Sequence, residues 1–304
     1  MKLEGIHHIT AITGDAPRNL DFYARVLGLR LVKKTVNQDD PTVYHLFYAD
    51  EKGSPGADLT FFEYPGAGPG RAGDGMVHRI VWRVGSAKAI DFWADRLGAE
   101  GVDAAPVDGR LRFSDPEGLE HELVVSGSSD APLIADHPEV PSEMALEGFD
   151  GVRAYAGEPD ASRGLLGTLG FEPADDGWEL RGEQRGGLYA YDAPPAEAGQ
   201  PGGGTVHHVA FASQMDDHEA WRDRAQEGGA HPTPVIDRFW FRSIYFREPS
   251  GVLFEIATMG PGFTTDEDAD HLGESLVLPP RFEPMRDRIE DSLTPLESPR
   301  AAAR

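Results

Sequence analysis

The sequence predicts an α+β fold of four βαβββ modules that pair into two half-barrels. Three observations carry this. A short apolar strand recurs four times along the chain, each copy leads at near-constant distance to a Gly that ends a helix-like stretch, and strand-like runs follow every such stretch.

The recurring strands are Gly5-Ile-His-His-Ile-Thr10, Met76-Val-His-Arg-Ile-Val81, Phe149-Asp-Gly-Val-Arg-Ala154 and Thr205-Val-His-His-Val-Ala210. From one strand position to the Gly the distance is 20 residues for His8 to Gly28, 19 for Arg79 to Gly98, 19 for Gly151 to Gly170 and 20 for His208 to Gly228. Helices are expected over about 17–28, 87–98, 161–170 and 217–228. Asp15, Ser86, Asp160 and Asp216 are candidate N-caps, because a side-chain oxygen there accepts an orphan N–H of the first turn. Pro17 suits that turn, and the Gly after the last turn can take a left-handed cap. Strand-like runs follow at 43–48 and 59–62, 111–113 and 119–125, 178–180 and 188–191, and 243–246 and 253–258.

One open half-sheet cannot bury its concave face alone, so the units must pair. The division expected is 1–126, holding modules at about 3–65 and 75–126; a Pro-, Ser- and acid-rich linker at 127–147; and 148–262, holding modules at about 148–193 and 204–260. An extension at 263–304 carries one amphipathic stretch, 282–293, and an end expected to be disordered. Residues 194–204 read as a flexible loop. The Gly-rich stretch 64–75 runs from strand to strand, so it lacks the helix N-terminus that a phosphate-cradling loop needs.

The 304 residues include 28 Lys+Arg, 52 Asp+Glu and no Cys, for a net charge of −24. Absence of Cys excludes disulfides, thiolate metal sites and a thiol nucleophile. The charge argues against nucleic acid or an anionic membrane as partner. Its two readings are a composition bias and adaptation to high salt, where screening suppresses self-repulsion. No apolar run reaches the roughly 18 residues of a membrane span, and the N-terminal residues lack an apolar signal core, so a cytoplasmic protein is expected. A homo-oligomer is left open.

Chemistry shows where the modules differ. Equivalent first-strand positions hold His8, Arg79, Gly151 and His208. Asp115-Pro-Glu-Gly118 leads to Glu122, and Glu248-Pro-Ser-Gly251 leads to Glu255; the aligned positions in modules one and three are Thr60 and Tyr191. Only module four has both His and Glu, and module one adds a second His. Two His and one carboxylate leave open positions on a divalent ion, which suits Fe(II) oxygenase chemistry, with Mn(II) as the other fitting ion. Glu122 faces Arg79 in its own module, so a salt bridge or a solvated residue is expected there.

The two His-His strands, the Pro-Ser-Gly hairpin, Leu253-Phe-Glu-Ile, Val32-Lys-Lys-Thr, Tyr44-His-Leu and Leu278-Pro-Pro together resemble the vicinal oxygen chelate superfamily. This is the glyoxalase, bleomycin-resistance and extradiol dioxygenase group, and the resemblance is nearest to ring-cleaving dioxygenases of the hydroquinone type. It implies His8, His208 and Glu255 as metal ligands, with His7, Thr10, His207, Arg238 and Tyr245 around them. It also implies that modules one and four form the active half-barrel, and that the substrates are a small aromatic and O2. Strand alternation turns His7 and His207 away from the faces of His8 and His208, which leaves them as orienting groups, proton relays or structural residues. Arg238 could neutralise a phenolate or form a surface ion pair, and Tyr245 could hydrogen-bond substrate or serve as an ordinary strand Tyr. Phe239, Trp240 and Phe241 could wall an aromatic pocket or pack a core. His45, His78, His121 and His271 carry no role in this reading. The rivals are a glyoxalase-type isomerase or lyase, which wants a second carboxylate where Thr60 stands, and a metal-free binding protein.

Overall fold

A computed structural model describes residues 1–297; the expected disordered end lies beyond them. Module one comprises β1 (Ile6–Thr13), α1 (Ala16–Leu20), β2 (Arg30–Val36), β3 (Tyr44–Ala49) and β4 (Asp58–Glu63). Module two comprises β5 (Val77–Val84), α2 (Ala87–Ala99), β6 (Ala104–Val107), β7 (Arg110–Ser114) and β8 (Glu120–Val125). Module three has β9 (Phe149–Tyr155), α3 (Arg163–Leu169), β10 (Glu172–Ala174), β11 (Gly177–Arg181) and β12 (Gly186–Asp192). Module four has β13 (Val206–Ser213), α4 (His218–Glu227), β14 (Ile236–Asp237), β15 (Arg242–Arg247) and β16 (Leu253–Thr258). Within the extension, α5 (Arg286–Glu290) seats Ile289 in the core between Phe282 and Leu293, all three buried.

Two eight-stranded mixed sheets result. One runs β14-β15-β16-β13-β1-β4-β3-β2, joining modules four and one; the other runs β10-β11-β12-β9-β5-β8-β7-β6, joining three and two. At each seam the first strands of two modules lie antiparallel, β1 on β13 and β5 on β9. Apolar residues of both sheets and their helices form one large core, including the fully buried Trp82, Trp93 and Trp221. No helix among the described residues is long and apolar enough to cross a membrane.

Helix ends differ in detail from the pattern read in the sequence. Asp15 and Ser86 cap α1 and α2, accepting from the backbone N–H of Arg18 and Ala89. Asp160 and Asp216 do not cap, because α3 and α4 are entered through 3-10 turns at Pro159–Ser162 and Met215–Asp217. Past Leu20 the first helix widens into a π-helical segment, Asp21–Val26. Gly28 and Gly170 take left-handed conformations, whereas Gly98 lies inside α2 and the left-handed residues there and after α4 are Gly101 and Gly229. Nor is the stretch 194–204 free: Arg71 and Gln200 exchange two backbone hydrogen bonds of 2.8 Å, and Gly70 donates to the Gly203 carbonyl at 2.8 Å.

Candidate metal centre

β16, β13 and β1 are consecutive neighbours, so Glu255, His208 and His8 come from adjacent strands of one concave face. The His8 Nε2 and His208 Nε2 atoms are 3.2 Å apart. Glu255 Oε2 stands 3.3 Å from His8 Nε2 and 2.9 Å from His208 Nε2. All three residues are buried. A cation held at about 2.1 Å by donors at right angles sets those donors about 3.0 Å apart, so the spacing fits three ligands on one face of an ion. The alternative, a hydrogen-bonded trio, fits less well: both Glu255 oxygens are buried without a hydrogen bond of sound geometry. Burial pushes the Glu255 carboxyl up, but His8 and His208 outweigh it and hold it well below the usual carboxylate range. The charged oxygen that a divalent ion prefers is therefore in place.

The paired histidines set the tautomers. His7 Nε2 lies 3.1 Å from the Thr258 carbonyl, which can only accept, so this nitrogen carries the proton. His7 Nδ1 is then an acceptor, and at 2.9 Å it takes the proton of His8 Nδ1. That leaves a lone pair on His8 Nε2, aimed at the centre. His207 Nδ1 meets His208 Nδ1 at 2.8 Å, and there either ring can be the donor. Burial, with the neighbouring His8, holds His7 down at about 3, and desolvation with His208 holds His207 down at about 4, so both rings are neutral near pH 7. Alternation does turn His7 away from the face of His8, yet the two rings still touch edge to face, with centroids 5.0 Å apart.

Around the trio lies a cavity of about 30 Å³, with Trp240, Phe241 and Tyr245 on its wall. Phe241 packs 5.3 Å from the His8 ring, centroid to centroid. Phe239 stays out of the wall; its backbone, at φ 73°, makes the tight turn that presents its neighbours, and its ring packs on Trp240. Arg238 reaches the wall and also grips Asp39 with two bonds of 3.0 and 2.9 Å, so the ion pair expected of it is present at the pocket's edge. Its guanidinium lies 5.5 Å over the Tyr245 ring. Burial, with nearby Glu255, raises the Tyr245 hydroxyl above its ordinary range, so it stays a proton donor.

Thr10 is buried directly opposite His208 in the β1–β13 pair, but its hydroxyl bonds Thr60 at 2.8 Å rather than any of the trio. Thr60 in turn lies 2.9 Å from His45 Nε2, and His45 lines the cavity. Sequence reasoning gave His45 no role; the Tyr44-His-Leu motif is the signal that could have marked it. Asp39 was likewise unmarked. Glu63, at the end of β4, is turned to accept from the backbone N–H of Ala16 and from Thr294, and among the described residues no second carboxylate joins the trio.

In the second sheet the equivalent positions are closed to a metal. Glu122 is fully buried and accepts from Arg110 at 2.7 Å and Arg112 at 2.5 Å, with Arg79 at 3.5 Å. The salt bridge expected there is present. At Gly151 a Cβ would stand 2.4 Å from the Leu188 carbonyl oxygen, so no ligand side chain fits.

Comparisons with known proteins show the family. A family model described as the glyoxalase/bleomycin resistance protein/dioxygenase superfamily matches residues 5–123 and 153–256. A Bacillus subtilis (strain 168) protein provisionally named ring-cleaving dioxygenase MhqO is 40% identical, over 97% of both chains. The chlorohydroquinone/hydroquinone 1,2-dioxygenase of Sphingobium indicum is 31% identical, over 95% of each chain. Among solved structures, a Bacillus subtilis protein provisionally named a dioxygenase superposes with a TM-score of 0.90 at 40% identity, covering 98% of each chain. Maize glyoxalase I shares the fold at a TM-score of 0.55 and 16% identity, over 84% of this chain and 92% of its own. This chain belongs to the glyoxalase/bleomycin resistance protein/dioxygenase superfamily.

Proposed function

We propose that the chain is a non-haem Fe(II)-dependent ring-cleaving dioxygenase, adding both atoms of O2 to a dihydroxylated aromatic, a plain or substituted hydroquinone. Mn(II) is the other ion the donor set suits. One observation carries the reading: His8, His208 and Glu255 place three donor atoms within 3.3 Å of one another in a buried, aromatic-walled pocket. The full-length relatives named as ring-cleaving and hydroquinone dioxygenases support the reaction and the substrate class.

When bound, the metal would acidify a substrate hydroxyl and offer adjacent positions to it and to O2. The rest falls to the chain. His7 and His207 fix the ligand rings, Arg238 lies where a phenolate charge needs a cation, and Tyr245 offers a hydroxyl donor. Trp240 and Phe241 keep water from the ring face. Without a second carboxylate the lyase rival lacks its acid–base partner.

Oxygen uptake tests this. Protein reconstituted anaerobically with Fe(II) should consume O2 with hydroquinone, and Glu255→Ala should fall to background. Uptake that persists in Glu255→Ala sinks the ligand set. Uptake with catechol alone overturns the substrate.

A further inference from the structure

His45 stands in the cavity wall but outside the ligand trio, and its two ring nitrogens are used unequally. Nε2 is taken by Thr60, itself tied to Thr10, which anchors the ring to the strand next to the ligands. Nδ1 has no partner among the described residues and is not one of the sealed, unpartnered atoms of the interior. Phe47 and Phe62 hold the ring from both sides, at 4.0 and 4.4 Å between centroids. A polar atom fixed this firmly and left open towards a pocket is a binding group awaiting a ligand.

Position says which ligand. The metal ligands come from β16, β13 and β1, whereas His45 comes from β3, two strands beyond β1. Strands lie about 4.8 Å apart, so β3 stands about 10 Å along the wall from β1. Two neighbouring hydroxyls would both turn to the metal and leave His45 unused. Two hydroxyls at opposite ends of a ring would span from the metal to His45.

We propose that His45 Nδ1 hydrogen-bonds the hydroxyl of the substrate that is remote from the metal, and thereby selects para- over ortho-dihydroxylated rings. The assignment rests on the ring-cleavage reading above. Its test is binding, measured by calorimetry on Fe(II)-loaded protein under nitrogen, with hydroquinone and with phenol, which lacks the remote hydroxyl. Wild type should bind hydroquinone about tenfold more tightly than phenol, the effect of one net hydrogen bond. His45→Phe should bring that ratio near one, and His45→Gln, which keeps a polar terminus, should retain part of it. Iron content of each variant reports an intact site, and Gln carries the comparison if Phe fails to fold. An unchanged ratio in an iron-replete variant overturns the role of His45 alone. Wild type that binds neither compound overturns the ring-cleavage reading, and the proposal with it.

Discussion

At the scale of single residues, function depends on which nitrogen carries a proton. Thr258 dictates His7, and His7 dictates His8, so a backbone carbonyl fixes the lone pair on His8 Nε2 through two rings. Removing the middle ring frees His8 to put its proton on Nε2 and lose the lone pair. His7→Phe should therefore weaken Fe(II) affinity about 10- to 100-fold, read by competition with a chromogenic chelator, while circular dichroism stays native. Unchanged affinity would show that the paired ring is packing only. The buried trio was legible as a set because the modules supply an internal comparison: His8 and His208 stand where Arg79 and Gly151 stand elsewhere, and the structure brings them together with Glu255. His45 was not legible, since β3 has no repeated motif to compare. Asp39 was hidden too, because its partner Arg238 lies 199 residues away and meets it only in the folded chain.

At the scale of elements, β2 shows how a strand fastens the C-terminal extension. Lys33 is fully buried, yet its ammonium meets Asp266 at 2.9 Å, Glu267, and the Phe263 carbonyl at 3.2 Å. Asp266 also accepts from the Trp240 indole at 2.9 Å, so the fastening reaches the pocket wall. Lys33→Met keeps much of the volume but leaves two carboxylates facing each other without a cation. The expected loss is about 3 kcal/mol or more, measured as a lower urea midpoint; a shift under a few tenths would mean the extension is held by its apolar contacts alone. Of this only the Lys33-Lys34 pair of the Val32-Lys-Lys-Thr motif was visible beforehand, since burial of a Lys runs against every compositional expectation. Helix starts were readable where a side chain caps an α-helix directly, at Asp15 and Ser86. They were misplaced at Asp160 and Asp216 because a 3-10 lead-in has no distinct composition.

At the scale of the whole molecule, the two sheets are joined by a polar chain through the core. The Trp82 indole donates to His121 Nδ1 at 3.0 Å, His121 Nε2 lies 3.0 Å from the Tyr23 hydroxyl, and that hydroxyl donates to Asp115 at 2.9 Å. Tyr23 belongs to module one and the others to module two, so the network crosses between half-barrels. Burial holds His121 down at about 3 and pushes Asp115 up to about 6. The signs oppose. The His121 contribution is complete above the unfolded value of 6.5 and is lost as pH falls towards 3, at about 1.4 kcal/mol per pH unit where only the unfolded chain is protonated. Asp115, raised from 3.8, gains stability as pH falls from about 6. His121→Gln retains the Asp115 effect, so the difference between wild type and variant isolates the histidine. Urea-unfolding free energies should converge as pH drops from 6.5 to 4, and parallel curves would remove His121 from the account. That modules must pair was readable because one open half-sheet cannot bury its own concave face; this polar tie was not, because nothing in the spacing joins Tyr23 to Asp115 and His121, 92 and 98 positions away.

The cavity size has a consequence for turnover. An apolar cavity of about 150 Å³ takes up benzene, and here about 30 Å³ is free. A ring needs more room than that, so it would reach the trio from the open side of the pocket, where Arg238 pairs with the largely exposed Asp39. Such a pair holds by about 0.2–1 kcal/mol, so an arriving ring displaces it at little cost. The rim beside the trio is loosely latched, and the space next to His8, His208 and Glu255 has room for a water until a guest takes its place.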